Sequence, residues 1–214
     1  MVKSEIVVQH YGMNPYDFLL AEYAVDYPFA YSEEDTILLS PYMQLTDPAE
    51  DSLLGCWLND LWRFGEKVQT LELLHGLNQH IYQSLTYQKR DTEGVQHVDK
   101  TLSSGVGSCR DYAALFIVAA RRLGFAVRFV SGYLYSGMPE NQPGESGSTH
   151  AWVEVFIPGA GWKGFDPSVN IIVGAGHVPV AVARRPESVP PISGSYGGIS
   201  GAEMTVKVKV AALN

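Results

Sequence analysis

The spacing of apolar residues changes character along the chain, and each change marks an element. In VQTLELLHGLNQHIYQSL, residues 68–85, the apolar positions Val68, Leu71, Leu74, Ile81 and Leu85 fall on one face at helical period. A helix is predicted there, and another in TDPAEDSLLGCWLNDLW, residues 46–62. Asp47 can cap that second helix, and Pro48 suits its first position. A third runs through CRDYAALFIVAARRL, opened by Ser108 with Asp111 at capping-box spacing and closed by Gly124. Beyond Gly124 the period drops to two. FAVRFVSGYLY, residues 125–135, reads as a strand, and HAWVEVFI alternates cleanly. Its residues Ala151, Val153, Val155 and Ile157 share one face, with His150, Trp152, Glu154 and Phe156 on the other.

PGAG at 158–161 is a turn, so GWKGFDPS, residues 161–168, returns as the paired strand. The loop-rich stretch 183–201 precedes MTVKVKV, a predicted closing strand with Met204, Val206, Val208 and Val210 inward. Residues 136–149, rich in glycine and polar side chains, read as a surface loop of functional length. Helices first and an antiparallel sheet afterwards make an α+β domain, here over 46–214. The aromatic, proline-punctuated segment 15–45 reads as short strands and loops without a core. Residues 1–45 are therefore expected to form an N-terminal arm, or the remnant of a β-domain.

Composition narrows the function. The formal net charge is −8, from 15 basic and 23 acidic residues, which disfavours nucleic acid and anionic membranes as partners. There is no run of 18 apolar residues and no basic-then-apolar leader at the start. Two cysteines cannot make a disulfide framework, so a reducing, cytoplasmic setting is the expectation. Cys56, among apolar residues at helical spacing, is expected to be a buried core thiol.

Cys109 stands out because it opens a helix. Unpaired backbone N–H groups and the macrodipole favour a thiolate there, and an adjacent imidazole would favour it further. His150 begins a strand, and Asp166 lies sixteen residues on, across the turn. In a hairpin centred near Gly159, residues whose numbers sum to about 318 lie opposite one another. For His150 and Asp166 the sum is 316, which makes them cross-strand neighbours. These are the residue types of a nucleophile, its acid–base partner and the carboxylate that orients that partner. They are also zinc-ligand types. A second thiol or histidine at short ligand spacing is absent, and His97 and His177 have no partner at such spacing. No metal and no cofactor is expected. GVGSC lacks the Lys and Ser/Thr of a phosphate loop.

GVGSCRDYAALFIVAARRLGFAVRFVSGYLY followed by STHAWVEVFIPGAGWKGFDPS resembles the bacterial transglutaminase-like superfamily of cysteine proteases. Its members place Cys at a helix start, His in an H-A-W-V-E strand and Asp in a G-F-D-P strand. The likeness extends over about residues 45–210. It implies a papain-like core with Cys109, His150 and Asp166 as triad. Longer members carry an N-terminal β-domain, of which residues 5–45 resemble the last strands. Members commonly read D-P-T-N after the acid, where this chain has DPSVN. An aromatic residue often precedes the nucleophile block, which offers Tyr87 as a donor to the oxyanion. Trp152, on the face of His150, is a candidate shield for the ion pair. The resemblance implies acyl transfer from an amide through a thioester, on a peptide or protein substrate. Hydrolysis is the favoured outcome; transamidation of glutamine and peptide binding without chemistry are the alternatives.

Overall fold

A computed structural model of the protein describes residues 2–11, 14–45, 52–90, 92, 94–135, 148–195, 197–198 and 205–212. Its centre is a helix lying across a sheet. The helices are α1 (Glu33–Met43), α2 (Ser52–Asn59), α3 (Thr70–Ser84), α4 (Val98–Ser104) and α5 (Cys109–Arg122). Two short ladders tie the helices together. Strand β1 (Asp26–Tyr27) pairs antiparallel with β2 (Val68–Gln69), and β3 (Thr86–Tyr87) pairs parallel with β4 (Val106–Gly107). The main sheet comprises β5 (Val127–Leu134), β6 (Ser148–Ile157), β7 (Gly161–Asp166), β8 (Ile171–Ile172) and β9 (His177–Ala183). Its strand order is β8-β7-β6-β5-β9, and every neighbouring pair is antiparallel. The fold is α+β.

The alternation in β6 decides which face the helices cover. Ala151, Val153, Val155 and Ile157 are all buried in the core that α3 and α5 contribute to. Helix α5 supplies Ala113, Leu115, Phe116, Ala119 and Ala120 to it. Its C-terminus turns on Gly124 at φ +84°, with Gly124 N–H donating to Arg121 O at 2.9 Å and Phe125 N–H to Ala120 O at 2.9 Å. Those two bonds satisfy carbonyls that the last turn leaves open. The predicted register of the hairpin holds: Val153 lies opposite Phe165, a sum of 318.

Four expectations need correction or adjustment. Helix α3 starts at Thr70, because Val68 and Gln69 are taken by the ladder to β1. Residues 33–43, read as strand and loop, form α1. Ser32 accepts the Asp35 N–H at its start, three acids fill its first turn, and Leu39 is buried. Cys56 is exposed, because Leu54 and Leu58, one turn apart, take the inward face of α2 and leave Cys56 on the other side. No strand forms over 205–210, where Val206 stays exposed: among the described residues the alternation finds no partner strand and no apolar surface to bury it. The predicted cap at Asp47 and Pro48, Met204, and residues 136–147 of the predicted loop lie outside the described residues.

The segment before α1 packs through its aromatic residues. Tyr27 OH donates to Leu123 O at 2.7 Å, and its ring stacks on Phe125 at 5.2 Å. Tyr31 OH donates to Phe156 O at 2.8 Å and accepts from Ala126 N–H at 3.0 Å. Ala21 N–H reaches Pro158 O at 2.8 Å.

One connection constrains the sheet's shape. Between Ile172 and His177 the chain passes from one sheet edge to the other. Five residue steps reach at most about 17 Å, whereas four strand spacings in a flat sheet need roughly 19 Å. The sheet is therefore curled at this end, and curling brings β9 close over β5. At Gly132 the approach leaves no room for a side chain: a Cβ there would stand 2.2 Å from Val178 O and 2.7 Å from the Trp152 ring. Gly132→Ala is expected to destabilise the protein by roughly 2–3 kcal/mol through overpacking against backbone. Gly194→Ala, with nothing within 4 Å of the added carbon, should change stability by less than about 0.5 kcal/mol. Urea unfolding of both variants checks this, and equal midpoints would contradict the close approach.

Candidate active site

Cys109 is the first residue of α5, half-buried, at the point where the helix leaves β4. The loop that delivers it is fixed by one buried carboxylate. Asp111 accepts from Ser108 N–H at 2.8 Å and from Ser108 Oγ at 2.8 Å. It also accepts from Gln96 N–H at 2.7 Å, and from Arg90 Nε and Nη2 at 2.9 Å each. Burial works against the ionised form of Asp111, but the Gln96 and Ser108 amides and the Arg90 guanidinium outweigh it and hold the carboxyl below its usual range. Gly107 permits the tight entry, since a Cβ there would meet Asp111 Cβ at 3.0 Å. The β3–β4 ladder places Tyr87 opposite Gly107, with its ring 6.2 Å from Tyr112 and half of its surface exposed.

The sheet supplies the other half. His150 Nε2 lies 2.6 Å from Asp166 Oδ2, with His150 8 % exposed and Asp166 fully buried. The Cys109 thiol is the second side-chain partner of the same imidazole. Burial pulls the His150 pKa down, yet the bonds to Asp166 and Cys109 win and raise it from 6.5 to about 10. Asp166 is fully engaged. Its Oδ1 accepts from Ser168 N–H at 3.0 Å and Ser168 Oγ at 2.7 Å, and its Oδ2 takes a second imidazole, His177 Nε2, at 3.0 Å. Burial disfavours the charged carboxylate, but the two histidines and Ser168 hold its pKa far below the usual range. Trp152 is wholly buried, with its ring 6.2 Å from His150 and edge-on to His177 at 5.0 Å.

The structure therefore brings Cys109, His150 and Asp166 together, with Trp152 beside His150 and Tyr87 across the ladder from the nucleophile loop. It also adds Arg90, Ser168 and His177. His177, which has no partner at ligand spacing along the sequence, touches Asp166 in space, and His150 lies beyond. The available signal was the alternation in HVPVAVA, residues 177–183, but Pro179 masks it as a strand. Proline is tolerated there because β9 is an edge strand. His97 sits 3.8 Å from Asp99, away from this cluster. By residue type, His150, Asp166 and His177 form a possible metal set, their donor atoms lying within 4.8 Å of one another. Around a tetrahedral zinc with bonds near 2.0–2.2 Å, neighbouring donors stand roughly 3.3 Å apart. The 2.6 and 3.0 Å separations at Asp166 are hydrogen-bond distances instead.

The model of the Transglutaminase-like superfamily matches residues 63–167, a span that contains all of Cys109, His150 and Asp166. The chain belongs to the transglutaminase-like superfamily. A candidate cysteine protease from Cytophaga hutchinsonii has a similar solved structure, at 25% identity and a TM-score of 0.51, over 72% of this chain and 48% of that one. The uncharacterized protein Rv2569c of Mycobacterium tuberculosis is 30% identical over 173 residues, 78% of this chain and 52% of its own length. The uncharacterized YebA of Bacillus subtilis is 30% identical over 151 residues, 64% of this chain and 20% of its own. This transglutaminase-like chain thus spans about half the length of the mycobacterial relative. Its family is one of thiol-dependent enzymes. Among the described residues no helix is long and apolar enough to cross a membrane.

Two opposed pH limbs follow for this transglutaminase-like core. Asp166 has a folded pKa below its unfolded 3.8. Its stabilisation is present above that value and is lost as pH falls through the folded one. His150 has a folded pKa raised from 6.5 to about 10. Its stabilisation is complete below 6.5 and is lost as pH rises through about 10. Unfolding free energy against pH should decline on both sides, and in His150→Gln the alkaline decline should flatten. A wild-type curve level up to pH 10 would contradict the raised imidazole.

Proposed function

We propose that the chain is the core of a cysteine amidase or peptidase, in which Cys109 attacks, His150 transfers the proton and Asp166 orients His150. The observation that carries this is the imidazole of His150 held between the Asp166 carboxylate and the Cys109 thiol. A cysteine at a helix start, hydrogen-bonded to an imidazole that holds its proton well above neutral pH, forms a thiolate–imidazolium pair.

The reaction runs in two balanced halves. The Cys109 thiolate adds to an amide carbonyl, and the oxyanion is met by the Cys109 N–H at the helix tip. Tyr87, across the β3–β4 ladder, is the side-chain candidate to add a second donor. His150 then protonates the leaving amine from its imidazolium, the C–N bond breaks, and a thioester remains. Neutral His150 next takes a proton from water, whose oxygen attacks the thioester. The acid leaves and the thiolate–imidazolium pair is restored. An amine in place of water would give transamidation by the same steps. Hydrolysis is favoured because water is abundant and no described feature excludes it. Buried Trp152 borders His150 and keeps water from that side of the pair. The substrate is a peptide or protein amide, and a reducing cytoplasm would keep both thiols free.

Exposed Cys56 is an internal reference for a test. At pH 6 an ordinary thiol with pKa near 8.5 is roughly 0.3% thiolate. Iodoacetamide should therefore label Cys109 on the order of 100 times faster than Cys56. Incubation with p-nitrophenyl acetate should add one acetyl group to wild type and to Cys56→Ser, and none to Cys109→Ala, by intact mass. Equal labelling of the two cysteines would overturn the proposal.

A further inference from the structure

One buried titratable side chain has no role in the reaction as drawn. His177 is 2 % exposed, its Nε2 lies 3.0 Å from Asp166 Oδ2, and its ring stands edge-on to Trp152 at 5.0 Å. An imidazole at a site of pure packing gains nothing over an apolar ring, and it brings a polar group that must be satisfied. Here Nε2 is satisfied by the carboxylate oxygen that also receives His150. The backbone is arranged for this contact. His177 N–H donates to Gly174 O at 3.0 Å, which fixes the start of β9. The register of β9 on β5 shifts between Ser131 and Gly132, and bare Gly132 lets Val178 and Pro179 close down on β5.

We infer that His177 is a positioning residue, whose Nε2–H fixes the Asp166 carboxylate so that Oδ2 presents a single, stationary acceptor to His150. This rests on the triad reading above. A carboxylate on one rotatable bond can turn about its axis. Ser168 holds Oδ1 through two donors, but without His177 the Oδ2 atom would meet only the His150 ring that it is meant to orient. A ring cannot be aligned by a group that moves with it. His177 supplies the independent constraint. One proton on Nε2 is enough, so the function is donation. His177 does not touch the nucleophile or the reacting carbonyl.

The test compares His177→Leu, which keeps bulk without a donor, with His177→Gln, whose amide nitrogen can donate from a similar place. Wild type and Cys109→Ala are the controls. The rate of acetylation by p-nitrophenyl acetate and its pH profile are measured on the whole chain. His177→Leu should acylate about 10- to 100-fold more slowly, the effect of losing a hydrogen bond to a charged group. Its pH profile should be displaced, and His177→Gln should recover to within about 5-fold. Unchanged rates in both variants would overturn the inference, as would a Gln variant as slow as the Leu variant, which would make the role one of shape. If wild type itself shows no acylation at Cys109, the triad reading falls first and this one with it. A fast wild type with unaffected variants sinks only His177. Should His177→Leu fail to fold, nitrogen-15 spectra of histidine in the unsubstituted protein decide. A proton on His177 Nε2 is expected, and an Nε2 without one overturns the assignment.

Discussion

A carboxylate with no exposed surface sits at the end of β7, and the rest of the molecule is arranged to keep it ionised. Taking such a charge out of water costs several kcal/mol unless donors replace the lost hydration. Asp166 receives four: the His150 and His177 imidazoles on Oδ2, and the amide and hydroxyl of Ser168 on Oδ1. These donors come from β6, β9 and the turn after β7. The curl that lets the chain cross from β8 to β9 therefore also assembles the environment in which His150 keeps its proton. Closing the sheet and preparing the base depend on the same atoms.

A second buried carboxylate does the corresponding work for the start of α5, where Cys109 sits. Asp111 gathers Ser108, Gln96 and Arg90, so the first turn of α5 is tied to both Arg90 and Gln96. The helix and the sheet are then two separately braced halves, each carrying part of the proposed triad. Their alignment is left to apolar packing. Phe165 stacks on Phe116 of α5 at 5.7 Å, and alternation in β7 turns the next residue, Asp166, the opposite way toward His150. Neighbouring residues in one strand thus set the helix against the sheet and orient the base.

What the sequence disclosed follows the range of the interactions involved. Helix α5, its Ser108–Asp111 start and its Gly124 stop were legible because each depends on residues within one or two turns. The pairing of β6 with β7 was legible because a four-residue turn fixes its register, which alone made His150 and Asp166 neighbours. His177 was not, since its contact depends on the curl of a five-stranded sheet and on space vacated by Gly132, and neither leaves a local pattern. Residues 204–210 carry a convincing alternation and yet 205–210 form no strand, because periodicity says what could pair and not which edge is free. Cys56 was misjudged for a different reason: apolar neighbours at helical spacing indicate a buried face, and Cys56 lies between the two leucines that define it.

The division between framework and surface bears on what such a core can vary. His150, Asp166, His177 and Trp152 are buried and bonded to one another or packed in contact, and buried Asp111 is bonded to Ser108, Gln96 and Arg90, so a change at any of them propagates to its partners. More exposed side chains flank this framework. Tyr87 is half exposed on a two-residue ladder, Tyr135 is 37% exposed at the end of β5, and residues 136–147 link β5 to β6 immediately before His150. A change at Tyr87 or Tyr135 leaves the buried hydrogen bonds around Asp166 in place. In the reaction proposed above, the steps as far as the thioester belong to this buried framework, and the choice between water and an amine belongs to groups at its surface.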